Sequence, residues 1–103
     1  SYIPDALHVS VYLIIDNNYP YTAEQLVPKL KTFFDGYALP VIFVKQVNPV
    51  EGDWFTMRIY VGGKSYLGDM PNGNLSLTEF KDNHIAIFAK LKDMYSLANK
   101  ADQ

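Results

Sequence analysis

The chain contains no cysteine, and that single absence removes disulfide frameworks, cysteine zinc sites and thiol catalysis together. Arginine is nearly missing as well, Arg58 being the only one, while the eight lysines are scattered along the chain. With a formal net charge of −2, the clustered basic surface that holds nucleic acid by its phosphates is not there, so nucleic acid is disfavoured as a partner. No apolar run reaches the length of a bilayer span; the longest, "VYLIID" with its neighbours, is strand-sized. A soluble chain is expected, away from membranes, with the cytoplasm favoured among compartments that the composition leaves open. The start at Ser1 leaves room for a processed or excised chain.

Two histidines, His8 and His84, share no His-x-x-x-His or related spacing, and "DNNYP" lacks the glycine and distal glutamate of a calcium loop. No metal and no cofactor is therefore expected. His8 and Ser10 would point outward in parallel from one strand, with no Asp placed to orient the imidazole, so a nucleophilic triad is not assembled. Glu51 and Asp53 are the nearest approach to paired carboxylates, and turn chemistry explains them as well as acid–base catalysis does. His84 lies on the apolar stripe of a helix, where a core-edge histidine is the simpler reading.

What is present is globular: 103 residues, 49% hydrophobic and 19% charged, enough for one domain over residues 1–103 with a real core. Residues 7–16, "LHVSVYLIID", alternate, with Leu7, Val9, Val11, Leu13 and Ile15 on one face and His8, Ser10, Tyr12 and Ile14 on the other. They read as a strand. Thr22 and Gln25 form a capping box that opens a helix over 22–35, with Leu26, Leu30, Phe33 and Phe34 as its buried stripe, Pro28 as a misfit and Gly36 as its stop. Residues 39–47 make a second strand entered through Pro40, and "NPVEGD" reads as the return of a hairpin into a third over 54–61.

The segment "YVGGKSYLGDMPNG" contains a Gly-Gly-Lys-Ser that resembles the tail of a phosphate-binding loop. That motif needs a glycine six residues before the lysine and a helix directly after the serine. Arg58 occupies the first place and "YLGDMPNG" the second, so both requirements fail. Gly62-Gly63 instead suits a two-residue hairpin loop joining 54–61 to 64–69, with Val61 opposite Lys64, Tyr60 opposite Ser65 and Arg58 opposite Leu67. Met70 to Gly73 reads as a second turn. Ser76 and Glu79 then make another capping box, and apolar residues from Leu77 to Ala98 recur at helical spacing, so a long helix over 77–99 is expected, with Asp82 able to cap a separate second piece.

These elements predict an α+β fold, a two-layer sandwich of order β-α-β-β-β-α, with a mainly antiparallel four-stranded sheet and both helices on one face. The first strand either pairs in parallel with the second or lies at an edge. The opposite sheet face then collects Trp54, Arg58, Tyr60, Leu67, Tyr12 and His8, a composition that favours aromatics and arginine over lysine and glutamate, as the cores of protein interfaces do. The N-terminal arm "SYIPD" or the loop "NNYPY" would be the competing cover for that face. The function expected is a non-enzymatic protein-interaction or assembly module. Its partner is another protein or a second copy of itself, bound through this face or through the C-terminal helix. The alternative is a small ligand or single-stranded nucleic acid on the same face.

Overall fold

Strand β1 (Val9–Asp16) lies inside the sheet, not at its margin, with β2 (Val41–Asn48) on one side and β3 (Phe55–Val61) on the other. The computed structural model describes residues 7–48, 52–68 and 73–101. The remaining elements are α1 (Ala23–Phe34), β4 (Lys64–Ser65), β5 (Leu75–Ser76) and α2 (Leu77–Ala101). The order is the expected α+β order, and β1 pairs with β2 in parallel, from Val9 with Val41 to Asp16 with Asn48. All other pairings among the described residues are antiparallel.

Two expectations are corrected. The strands at 39–47 and 54–61 do not form a hairpin, because β1 separates them: β3 pairs with β1 from Val9 opposite Val61 to Ile15 opposite Phe55. Every one of Val9, Val11, Leu13 and Ile15 is buried and so is every one of Phe55, Met57, Ile59 and Val61. Placing these two fully apolar rows side by side under the helices buries more surface than pairing β3 with the half-exposed β2.

The second correction concerns the hairpin at Gly62-Gly63. Both glycines have positive φ, +57° and +82°, as this turn requires, and the pairs Tyr60–Ser65 and Val61–Lys64 form as expected. The strand then stops after two residues, although 64–69 was expected. The Ser65 hydroxyl accepts from Leu67 N–H at 3.2 Å, and its carbonyl accepts from Gly68 N–H at 3.1 Å. This local bonding competes with the ladder and turns the chain away. Leu67 consequently never sits opposite Arg58; further along β3, Thr56 and Met57 pair instead with Ser76 and Leu75 of β5, an unexpected fifth strand. Asp69 and the turn proposed for Met70 to Asn72 lie outside the described residues.

The long helix forms as expected, without the break that Asp82 could have capped, and runs through Lys81–Asn83 for 25 residues in all. Asn83 donates its side-chain amide to the Glu79 carbonyl at 2.9 Å, so the polar trio decorates the helix without splitting it. At 1.5 Å per residue α2 is about 37 Å long, more than the two shorter extents of the molecule, 33 and 29 Å. Both capping boxes form: Gln25 N–H donates to Thr22 Oγ1 at 3.3 Å and Thr22 N–H to Gln25 Oε1 at 2.9 Å. The second box mirrors it, with Glu79 N–H on Ser76 Oγ at 3.1 Å and Ser76 N–H on Glu79 Oε1 at 3.2 Å. Thr22→Ala and Ser76→Ala are each expected to lower stability by about 1 kcal/mol, additively in the double variant because the caps share no partner. Urea titration of the four proteins checks this, with unchanged midpoints as the contrary result.

Pro28 sits inside α1 on its exposed side, where water can satisfy the Glu24 carbonyl left without a donor. Phe34, Phe80 and Phe88 then lock the helices to each other and to β2: Phe34 meets Phe88 edge-on at 4.6 Å and Phe43 at 5.7 Å, and Tyr37 stacks on Phe88 at 4.3 Å. The core cluster therefore lies wholly between the helices and one sheet face.

Candidate protein-interaction surface

The second sheet face is built from the even-numbered residues of β1, β2 and β3, because successive side chains alternate and the registers are in phase. Its rows are Ile42, Ser10, Tyr60 and Ser65; then Val44, Tyr12 and Arg58; then Gln46, Ile14, Thr56 and Ser76. Both helices cover the other face. Among the described residues no helix lies over this one, and Ile42 and Val44 are 49% and 36% exposed on it.

Tyr12 and Tyr60 meet edge-on with ring centroids 5.5 Å apart, a diagonal contact between adjacent rows. Arg58, opposite Tyr12, is exposed and donates from Nε to Asn74 Oδ1 at 2.7 Å, which ties the guanidinium to the residue before β5. A depression of about 360 Å³ lies here, lined by Ser10, Tyr12, Gln46, Arg58, Tyr60 and Gly63. Its neighbour Tyr66 carries the Lys90 ammonium over its ring at 5.1 Å. Burial raises the pKa of the Tyr66 hydroxyl, keeping it neutral at ordinary pH.

The structure thus brings together Tyr12, Arg58 and Tyr60, and separates Trp54 and Leu67 from them. Trp54 precedes β3, six residues from Tyr60, or about 20 Å along a strand. Its carbonyl accepts from Asp16 N–H at 3.1 Å, and Asn18 N–H donates to Gly52 O at 2.8 Å, so the returning chain runs beside that end of β1 and extends its ladder with β3. Ile14 there is only 6% exposed although it stands outside the main core cluster. Asp16 Oδ2 and Thr56 Oγ1, buried near it, have no hydrogen-bond partner among the described residues. Leu67 is carried off by the Ser65 turn, and His8 lies half-buried just before β1.

No family model matches the chain, and no curated protein or solved structure does. The surface has to be interpreted from its own geometry.

Of the two covers considered for this face, the loop "NNYPY" goes elsewhere. Tyr19 stacks at 5.6 Å on Phe55, which belongs to the helix-side row, and Tyr21 packs edge-on against Tyr19. Burial, and then the proximity of Tyr21, raises the Tyr19 hydroxyl above its ordinary pKa. The arm "SYIPD" lies outside the described residues, as does Glu51. Asp53 is exposed in the return to β3. His84 packs its ring on Phe33 at 5.1 Å and, through Nδ1–H, donates to the Lys81 carbonyl at 2.8 Å, a structural use of the imidazole. Among the described residues, no three metal-ligating side chains come together and no helix is long and apolar enough to cross a membrane.

Ile42 and Val44 were missed as surface residues because β2 alternates ambiguously, with apolar side chains on both faces. Only its parallel register with β1 decides which set looks outward.

Proposed function

We propose that the protein is a non-enzymatic interaction module that engages another protein along the open sheet face, centred on Tyr12, Arg58 and Tyr60 and bordered by Ile42 and Val44. The observation that carries this reading is an aromatic and apolar strip, fixed by its own contacts, on a sheet face without a helical cover among the described residues. Rigid tyrosines bury large area at small entropic loss and arginine supplies directional donors, which is why both concentrate at interface centres.

The test is recovery of binding proteins from a lysate of the source organism by the wild type and by Arg58→Ala with Tyr60→Ala. Circular dichroism confirms that the variant folds. A partner held by the wild type and weakened about tenfold or more by the double change supports the proposal. Equal recovery by both proteins overturns it.

A second reading, a small anionic ligand on the same face, draws on the depression beside Arg58. Titration of nucleotides and short oligonucleotides at low salt, followed by amide chemical shifts at Ser10, Tyr12 and Tyr60, separates the two. Saturable shifts that Arg58→Ala abolishes favour the ligand, and unmoved resonances favour the protein partner.

A further inference from the structure

We propose that two copies of the chain pair antiparallel through β2, about a two-fold axis at Val44, to form a dimer with one continuous sheet. The inference concerns the sheet edge and stands independently of the open-face reading.

Among the described residues, strand β2 is the only long edge of the sheet, since β4 and β5, which share the other margin, are two residues each. The phase of its hydrogen bonding is set by Val9 N–H donating to Pro40 O at 2.8 Å. Even-numbered residues of β2 therefore turn their backbone groups toward β1, and Val41, Phe43, Lys45 and Val47 turn theirs outward. Natural edges are blunted by proline, bulges or several charges. Here the register with β1 is uninterrupted, no proline lies within the strand, and Lys45 is its one charged residue. Every exposed large apolar side chain found in a strand is on β2: Ile42, Val44 and Val47.

A second copy fits this edge because the edge is self-complementary in one register. Only registers that pair odd residues with odd residues satisfy the outward groups. Centring on Val44 sets Val41 against the second copy's Val47 and Phe43 against its Lys45, each pair exchanging both backbone bonds, with Ile42 facing its Gln46 on the open side. Of the two neighbouring allowed registers, the one centred on Phe43 pairs only Val41 to Lys45 within the strand, fewer residues than the Val41 to Val47 paired about Val44, and the one centred on Lys45 opposes Lys45 to Lys45, a like-charge pair. About Val44 the two lysines stand diagonally instead, and each brings its own Glu24, which lines the same depression as Lys45, Val27, Pro28 and Phe43. The Glu24 carboxylate is stabilised first by its backbone hydrogen bond and next by Lys45, so the four charges alternate in sign and cancel. Antiparallel pairing consumes both long edges, so the assembly closes at two copies and does not run on into a fibre.

Seven paired residues span about 24 Å, and one sheet layer with one helix layer is about 20 Å deep, so the contact covers about 500 Å² per copy. That is below the roughly 800 Å² per partner of standard interfaces. The dimer is expected in the micromolar range and to be concentration-dependent.

The absence of native cysteine makes the axis directly testable. At a non-hydrogen-bonded pair the Cα atoms lie about 4.5 Å apart, within the disulfide range of about 4.4–6.8 Å. Val44→Cys, incubated with oxidised glutathione at about 100 μM protein, well above a micromolar Kd, is expected to become mostly disulfide-linked dimer, while Gln46→Cys stays largely unlinked. Linking of Gln46→Cys in preference to Val44→Cys would overturn the register. Sedimentation of the wild type is expected to show a dimer at this concentration. Lys45→Pro, which removes an outward N–H and the Lys45 charge, and Val44→Lys, which opposes two ammoniums on the axis, are each expected to sediment as folded monomers. A wild type that remains monomeric, or a dimer that survives Val44→Lys, overturns the proposal. Arg58→Ala with Tyr60→Ala is expected to leave the dimer intact, so a failure of the open-face reading is distinguishable from a failure of this one.

Discussion

Phe88→Ala is expected to cost about 3–5 kcal/mol and to lower the thermal midpoint by roughly 15–30 °C. The ring is fully buried and has partners on three sides: Phe34 edge-on at 4.6 Å, Tyr37 stacked at 4.3 Å with an interplanar angle of 14°, and Phe80 at 6.0 Å. Truncation forfeits the transfer of the ring and these contacts. It also opens a cavity that cannot collapse, because Phe34 and Phe80 are held by each other and by Phe33 and Phe43. Since small domains have only about 5–15 kcal/mol in total, the variant is expected to be partly unfolded at physiological temperature. Phe88→Leu, which refills most of the volume, is expected to lose well under half as much. Calorimetry of the two variants decides. Equal midpoints for Phe88→Ala and the wild type would mean that α2 does not clamp α1 through this ring.

How far such features were legible in the sequence follows from the range over which each is determined. Thr22 with Gln25 and Ser76 with Glu79 are closed by hydrogen bonds three residues apart, and the Gly62-Gly63 turn needs only its own φ angles. Local patterns suffice for these, and the alternation of β1 and β3 likewise separates their two faces correctly. The partner of each strand is a different matter. Whether β3 pairs with β2 or β1 depends on which union buries Val9 to Ile15 best under Phe80 and Phe88, a comparison across the whole chain. The end of β4 escaped notice for the opposite reason: one Ser65 hydroxyl outweighs the alternating pattern that follows it. For the candidate surface, Tyr12, Arg58 and Tyr60 followed from parity within strands, whereas Ile42 and Val44 required the register of β2 against β1. Leu67 and Trp54 were assigned to the same cluster by extending a ladder that Ser65 ends and by ignoring distance along β3.

The second large effect tests how much of the open face is available to a partner. Ile14→Ala is expected to cost about 2–4 kcal/mol, as a core substitution does, although Ile14 points away from the helices. Val44→Ala and Ile42→Ala, on the same face, are expected to cost about 1 kcal/mol or less, chiefly through lost β propensity. The difference arises at one end of the sheet. Asp16 N–H and Asn18 N–H hold the backbone of Trp54 and Gly52 against it, and a methyl group on Gly52 would come within 2.7 Å of Asp16 Oδ2 and 2.9 Å of the Trp54 ring. Ile14, in the row next to this close approach, is only 6% exposed, while Ile42 remains 49% exposed two rows away. Urea unfolding of the three variants separates the regimes. If all three cost about the same small amount, Ile14 is not sealed, and the surface offered to a partner extends down to Trp54. The expected contrast instead confines that surface to the Tyr12 and Tyr60 rows and the margin of β2. Ile14 then acts as a second, small core that stiffens the sheet beneath them, so a partner meets rings already held in place and loses little conformational entropy on binding.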